Sequence, residues 1–211
     1  MAPVEKLNVG ILIYDNVDVL DLAGPFEVFS RTRLVPGMKS REDSDSAPFN
    51  PFTVAKSAAP VALTGNFLVV PNYTFANAPK IDVLMVIGGL GAIAKTKDQE
   101  TMDWIARMAG TASHTLSVCT GAILLTAAGL TKGGKRITTH WAAFDYLAGM
   151  DRTLIVDRDV RIVDHGAMKH SGGIACGIDL AFQLVEELYG KTVADETAHF
   201  IEYHRNPITP R

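Results

Sequence analysis

Three short apolar runs, each followed by small residues, constrain the fold more than any other feature of this chain. They cover residues 7–14 (LNVGILIY), 81–87 (IDVLMVI) and 114–118 (HTLSV). Runs that are apolar at nearly every position are typical of strands in a parallel sheet, which helices cover on both faces. A helical pattern follows each run, at 25–31, 99–108 and 120–128. The repeated order of strand, turn and helix predicts an α/β protein with a doubly wound, mostly parallel, flavodoxin-like sheet flanked by helices.

The second half of the chain is less regular. We expect helices at 139–147, 174–189 and 192–203, and a hairpin made of strands at 153–156 and 160–163. Because 211 residues suit one core, we predict a single domain over 1–211. Residues 35–51 combine three prolines with a dense run of charge, which favours a mobile surface insertion. The tail at 206–211 contains two prolines and is expected to fray or pack irregularly.

The composition argues against several classes of function. Twenty basic and 23 acidic side chains give a net charge of −3, without the basic field that nucleic-acid binding needs. No apolar run approaches the roughly 18 residues of a membrane-spanning helix, and no hydrophobic signal core precedes the first predicted strand. Two cysteines, neither in a metal-ligand spacing, support neither a disulfide framework nor structural zinc. We therefore expect a cytoplasmic protein that has no membrane partner, no nucleic-acid partner and no metal.

Cys119 occupies the position best suited to chemistry. Active sites of open parallel sheets gather at the carboxyl ends of the strands, and in SVCTGAILL an apolar strand gives way to a helix close to Cys119. The free N–H groups and the dipole of that helix stabilise a thiolate, which is the nucleophilic form. The turn is similar to the G-x-S-x-G nucleophile elbow, with Ser117 in place of the first glycine. The alternative is a small buried residue, which is the interpretation we favour for Cys176.

A thiolate needs a proton partner, and Thr120 stands directly after the cysteine, where a histidine could have served. The loop after the first strand should reach the same edge of the sheet, and it contains Asp15, Asp18 and Asp21. Asp21 lies among apolar residues, so partial desolvation would raise its pKa and let it hold a proton. Its alternative role is to cap the next helix. Spacing alone does not decide which of the three carboxylates is the proton partner of Cys119.

Other polar and glycine-rich segments carry weaker signals. The run 88–91 (GGLG) follows the second strand, where its backbone N–H groups could stabilise charge on a substrate, but it lacks the order of a phosphate loop. His140 could lie near the site, although we favour packing beside Trp141. Asp179 is expected to serve the first turn of its helix as a structural carboxylate. Solvent or local roles are expected for the histidines without metal spacing, which are His165, His170, His199 and His204.

Together these motifs resemble the ThiJ/PfpI superfamily, which has a class I glutamine-amidotransferase-like fold. The likeness covers about residues 8 to 190 apart from 35–51, and rests on YDNVDVLDLAGPFEVF, VLMVIGGLGA, LSVCTGAILLTAAGLTKGGKRITTHW and SGGIACGIDLAFQLVEELYG. Within the superfamily the chain is most similar to isonitrile (isocyanide) hydratases and to the amidotransferase-like domain of AraC-type regulators. The family motif S-V-C-T-G falls on 117–121, L-D-L-x-G-P on 20–25 and T-T-H-W on 138–141.

The resemblance implies hydration of an isonitrile to an N-formamide, without metal or organic cofactor, by a homodimeric enzyme. It makes Cys119 the nucleophile, favours Asp21 over the other two carboxylates, and puts Thr120 beside the thiol. It also implies that three residues lie close to the substrate, namely Gly89, Leu90 and Ile174.

Departures from the superfamily narrow the function and leave two alternatives. Peptidase-like members carry histidine after the cysteine, where this chain has Thr120, and glutamine amidotransferases need a downstream His-x-Glu pair that is missing near 171–179. One alternative is a hydrolase or lyase of another small reactive substrate that uses the same thiol. The other is a non-enzymatic, ligand-sensing domain related to the regulators, whose DNA-binding domain is not found in these 211 residues.

Overall fold

A computed structural model describes residues 4–205 of the protein. The strands are β1 (Leu7–Leu12), β2 (Phe49–Ala55), β3 (Val61–Leu63), β4 (Phe67–Val69), β5 (Tyr73–Thr74), β6 (Val83–Val86), β7 (His114–Val118), β8 (Arg136–Ile137), β9 (Ile155–Val156), β10 (Ile162–His165) and β11 (Met168–Ser171). The helices are α1 (Val19–Arg31), α2 (Ala92–Lys95), α3 (Gln99–Ala109), α4 (Gly121–Ala127), α5 (Phe144–Met150), α6 (Cys176–Tyr189) and α7 (Lys191–Phe200).

Seven strands form the central sheet in the order β10-β11-β7-β6-β1-β2-β5. The strands from β11 to β5 pair in parallel, and only β10 runs antiparallel to its neighbour β11. The side chains of β6 are fully buried, as expected of a central strand that helices cover on both faces. The predicted doubly wound, mostly parallel sheet is confirmed.

Two groups of helices flank this sheet. In the first group, α1 packs against α6 and α7; in the second, α4 packs against α2, α3 and α5. Large side chains fill the core between helices and sheet, among them Phe29 of α1, Phe182 of α6 and Trp104 of α3, which stacks on Phe75 with ring centroids 4.5 Å apart. Within residues 4–205 no helix has both the length and the apolar character needed to cross a membrane.

The first helix begins earlier than its sequence pattern indicates. The helical pattern at 25–31 predicts a start at Pro25, but α1 begins at Val19, so Pro25 lies inside the helix. This correction matters for the site because Asp21 belongs to the helix itself and not to the loop before it. The side chain of Asp21 is therefore held rigidly at the carboxyl edge of the sheet.

The predicted hairpin at 153–163 is wrong. β9 pairs in parallel with β8, and the antiparallel partner of β10 is β11, which follows the turn at Gly166 (φ 73°). The predicted helix at 139–147 is replaced by an extended His140, a short 3-10 turn at Trp141–Ala143, and α5.

The segment expected as a surface insertion, 35–51, is partly regular. Its end belongs to β2, which begins at Phe49, and a 3-10 turn covers Met38–Arg41. Arg41 forms an ion pair with Glu196 of α7, which ties the segment to the helical layer. The predicted irregular tail at 206–211 lies outside the described residues.

Candidate active site

Cys119 lies at the sharp turn between β7 and α4, as predicted. Its backbone adopts the left-handed conformation (φ 56°), which is uncommon outside glycine and is the strained geometry of a nucleophile elbow. Hydrogen bonds on both sides fix it: the Cys119 N–H donates to Ser171 O (3.2 Å) and Gly172 O (3.3 Å), and the Thr139 hydroxyl donates to Cys119 O (2.8 Å). The side chain is only 2% exposed. The thiol is thus held in one place, under a nearly closed surface.

Thr120 joins the elbow to the glycine-rich turn after β6. The Gly89 N–H donates to Thr120 Oγ1 (2.8 Å), and the same hydroxyl donates to Gly89 O (3.0 Å). The approach requires a glycine at 88, since a Cβ there would lie 2.4 Å from Thr120 N. The Gly89 N–H is thus engaged by Thr120 in this structure, and a substrate-binding role for Gly89 stays a prediction.

Asp21 is the carboxyl group that the fold brings to the thiol. It is fully buried, and its Oδ2 accepts a hydrogen bond from Gly88 N–H (2.9 Å), while Oδ1 has no hydrogen-bond partner among residues 4–205. Burial raises the pKa of Asp21 to about 7; the Gly88 N–H opposes this rise and the negative charge of Asp18 adds to it. A carboxyl group with this pKa can both hold and release a proton near neutral pH.

Asp18, Asp21 and Cys119 form one cluster, in which the carboxylate oxygens and the sulfur lie within 4.8 Å of one another. Burial raises the pKa of the Cys119 thiol, and so does the nearby Asp21 carboxylate, whereas a hydrogen bond from the Thr120 backbone lowers it. The activation by the helix terminus that the sequence predicts is therefore outweighed. Thiolate and carboxylates are donors that Zn²⁺ accepts, but a metal here would have to displace the buried protons.

His140 lies beside the thiol, whereas the sequence favoured a position in which it only packs against Trp141. A Cβ added to Gly173 would lie 2.6 Å from Cys119 Sγ and 2.8 Å from His140 Cδ2, so Gly173 touches both side chains. The expected packing is also present, since the rings of His140 and Trp141 lie 5.4 Å apart. The only sequence signal was the T-T-H-W motif, whose second threonine anchors the cysteine carbonyl.

Three exposed apolar side chains border this site. Leu90 is 85% exposed, Trp141 68% and Ile174 38%. Each follows a residue of the site directly in the chain: Leu90 follows Gly89, which is hydrogen-bonded to Thr120, Trp141 follows His140, and Ile174 follows Gly173, which lies against Cys119.

The remaining candidates take structural roles. Cys176 is buried at the start of α6 and its thiol donates to Gly173 O (3.4 Å). Asp179 forms an ion pair with Arg161 and accepts a hydrogen bond from Tyr203 (2.7 Å). His170 is buried, and its Nδ1 is hydrogen-bonded to Ser117 Oγ (2.8 Å).

The tight contact at Gly173 gives a first testable prediction. Replacing Gly173 with alanine puts a methyl group into the space of the Cys119 sulfur, and overpacking of this kind costs about 1–3 kcal/mol. We expect a lower melting temperature and at least a roughly tenfold slower alkylation of Cys119 by iodoacetamide. Gly149→Ala is the control, because a Cβ at 149 meets nothing within 4 Å. Equal alkylation rates in both variants would contradict the described contact.

Burial of Asp21 also predicts a pH dependence of stability. Because the folded-state pKa of Asp21 (about 7) exceeds the ordinary value of 3.8, the folded state binds more protons than the unfolded state between these pH values. The contribution of Asp21 to the free energy of unfolding is thus fully present below about pH 4 and is lost as the pH rises towards 7. Urea unfolding at several pH values should show this decline in the wild type and a flatter profile in Asp21→Asn. A parallel decline in both proteins would contradict the raised pKa.

The fold and the site together define a class: an α/β protein with a doubly wound sheet and a buried cysteine at a nucleophile elbow on the carboxyl edge. Residues 8–187 match the DJ-1/PfpI family, and the chain belongs to that family. Sequence similarity extends to the isonitrile hydratase of Pseudomonas putida, which is 35% identical over 95% of this chain and 80% of that protein. The transcriptional regulator GbdR of Pseudomonas aeruginosa is 23% identical over 94% of this chain, which spans about half (51%) of the regulator.

Solved structures with the same fold include a member of this family. The crystal structure of a ThiJ/PfpI family protein from Pseudomonas syringae superposes with a TM-score of 0.82 and 30% identity, covering 97% of this chain and 78% of that one. DJ-1beta of Drosophila melanogaster has a TM-score of 0.77 at 17% identity, over 94% and 99% of the two chains. At that identity the likeness to DJ-1beta concerns the fold alone.

Proposed function

We propose that this protein is an enzyme that hydrates an isonitrile to an N-formamide, with Cys119 as nucleophile and Asp21 as general acid and base. The observation that carries the proposal is the adjacency of a buried elbow thiol and a buried carboxyl group whose pKa is raised to about 7. The 35% identity to a protein named isonitrile hydratase supports the same reaction.

The chemistry of isonitriles suits this arrangement in particular. In R–N≡C the terminal carbon accepts both the nucleophile and the proton, so the attacking sulfur and the acid must lie side by side. A carboxyl oxygen and Sγ within 4.8 Å of each other meet that requirement. The linear, unhindered end of an isonitrile also suits a thiol that is only 2% exposed. Amide hydrolysis instead needs a proton delivered to the leaving nitrogen, away from the attacked carbon.

In the first step Cys119 and Asp21 together hold one proton. As the sulfur forms a bond to the terminal carbon, Asp21 delivers the proton to that carbon, giving the thioimidate R–N=CH–S–Cys and an Asp21 carboxylate. Positioned proton transfer of this kind contributes about 10²–10⁴-fold to the rate.

In the second step the carboxylate of Asp21 activates water. It takes a proton from the water as the oxygen adds to the carbon, and passes that proton to nitrogen. The adduct R–NH–CH(OH)–S–Cys then collapses: the hydroxyl proton returns to Asp21, the C–S bond breaks, and R–NH–CHO leaves. One water is consumed and the original protonation state is restored, without a metal or an organic cofactor.

The other predicted site residues support this reaction in different ways. Thr120 stabilises the sulfur anion through its backbone N–H, and Gly89 holds Thr120 in place. Leu90 and Ile174 offer apolar surface to the R group, which favours uncharged, lipophilic isonitriles.

We further propose that residues 1–211 form one domain, that the enzyme is a cytoplasmic homodimer, and that it binds no nucleic acid. Exposed apolar side chains on and beside the β3–β4 hairpin support a protein contact, since such patches often lie in interfaces; they are Phe67, Leu68 and Val70.

The proposed function is tested by comparing three substrate classes with the purified protein. Uncharged alkyl or aryl isonitriles, methylglyoxal and small amides would be supplied separately, and products followed by NMR. We expect formamide from the isonitriles alone. Turnover of methylglyoxal or of an amide without formamide would replace this proposal by another hydrolase or lyase, and binding of isonitrile without turnover would favour a sensing domain.

A further inference from the structure

Asp18 occupies the N-cap position of α1 but does not cap the helix. An aspartate at this position usually accepts a hydrogen bond from a free N–H of the first turn, yet the Asp18 side chain accepts none. The Thr64 hydroxyl lies within hydrogen-bond distance of both Asp18 Oδ1 (3.0 Å) and Val17 O (3.0 Å), and the Thr64 N–H donates to Val17 O (2.9 Å). The turn between β3 and β4 thus holds this carboxylate away from the helix and within 4.8 Å of Asp21 and Cys119.

No cation neutralises this pair of carboxyl groups. Among residues 4–205 neither Asp18 nor Asp21 forms an ion pair. Besides the Cys119 thiol, the titratable group facing Asp21 is the Tyr14 hydroxyl, which stays protonated because it is buried and donates to Ile87 O (2.9 Å). Two further titratable groups lie one side chain away from the cluster. The Lys95 ammonium is 5.9 Å from the centre of the Tyr14 ring, and His140 lies across Gly173 from the Cys119 thiol.

A negative charge within 4.8 Å opposes ionisation of a second carboxyl group. Asp18 is partly exposed whereas Asp21 is fully buried, so burial and the neighbouring carboxylate both favour the protonated form of Asp21.

We propose that Asp18 is a positioning residue, whose negative charge favours the protonated form of Asp21 beside the Cys119 sulfur. This inference rests on the proposed function for its catalytic meaning, since a protonated Asp21 is the acid of the first step. The negative charge of Asp18 also raises the pKa of both Asp21 and Cys119, although burial is the larger cause in each case.

The test compares Asp18→Asn and Asp18→Ser with the wild type over pH 5–10, and reads two quantities. Iodoacetamide alkylation of Cys119, followed by intact mass, reports the thiol without any substrate turnover. Formamide production reports Asp21. Loss of the charge should move the alkylation profile and the upper limb of the activity profile to lower pH by about one unit. Asp18→Glu, which restores the charge, should return both profiles towards the wild type.

Asp15→Asn is the matched control. Asp15 lies on the same loop and loses the same charge, but it is exposed and its Oδ1 accepts from Ala62 N–H (3.0 Å), outside the cluster. Its profiles should not move. The proposal is overturned if the profiles of Asp18→Asn or Asp18→Ser coincide with the wild type, or if Asp15→Asn shifts them equally. A wild type without formamide production would refute the proposed function, while the alkylation profiles would still decide the role of Asp18.

Discussion

Replacing Cys119 with alanine is expected to reduce formamide production to the level of buffer alone. The proposed reaction has a covalent intermediate on this sulfur, and the chain holds one other thiol, that of Cys176. Cys176 donates to Gly173 O at the start of α6 and is not a member of the acidic cluster. It therefore cannot replace the nucleophile. Product formation would be followed by NMR with an uncharged isonitrile, at enzyme concentrations high enough to detect about 10⁻⁴ of the wild-type rate.

The matched control is Cys176→Ala, which removes the other buried thiol. We expect it to retain activity within a few-fold, and mass spectrometry should find alkylation at Cys119 in this variant. Thermal melting separates a chemical loss from an unfolded protein, because Cys119→Ala keeps the Cβ and all backbone hydrogen bonds of the elbow. Formamide production by folded Cys119→Ala at the wild-type rate would rule out the covalent mechanism.

Local patterns were sufficient to predict the central part of the fold. β7 has the predicted bounds, and β1 and β6 lie within the predicted runs, because short runs rich in apolar residues and bounded by turn signals are typical of buried strands. β2 was missed since it begins with Phe49, Asn50 and Pro51, in a segment whose prolines and charge are typical of a loop. Its pairing with β1 is a long-range contact that no local pattern encodes.

Some features of the candidate site could likewise be predicted from the sequence, and others could not. The strand-to-helix turn identified Cys119, and the resemblance favoured Asp21 among three nearby carboxylates. The directions of the side chains of Asp18 and His140 could not be predicted, because they are set by Thr64 and Gly173, which are distant in the chain. The direction of the shift in the thiol pKa could not be predicted for the same reason: the helix terminus is visible in the sequence, but the degree of burial, the larger effect, is a property of the assembled core.

Replacing Asp21 with asparagine should change two rates in opposite directions. Asparagine keeps the shape of the side chain and an oxygen that can accept from Gly88 N–H, but it can neither deliver a proton to the isonitrile nor accept one from water. Formamide production should fall about 10²–10⁴-fold. The negative charge of Asp21 is one cause of the raised pKa of Cys119, so its loss should lower that pKa. Alkylation of Cys119 above about pH 8 should become faster than in the wild type.

The opposite signs make this substitution decisive about the role of Asp21. A general folding defect would also speed alkylation, because it would expose the buried thiol, so thermal melting must first show that Asp21→Asn remains folded. A purely structural Asp21 would leave the hydration rate of the folded variant nearly intact. Stopped-flow or discontinuous alkylation over pH 6–10 and the formamide assay would be run on the same preparation, with Asp15→Asn as the control for loss of one charge on this loop. Hydration at the wild-type rate in Asp21→Asn would remove Asp21 from the mechanism. A carboxylate within 4.8 Å of a buried thiol opposes formation of the thiolate, so removing the charge of Asp21 should speed alkylation at high pH. Slower alkylation of Asp21→Asn at high pH would therefore show that this charge does not act on the sulfur.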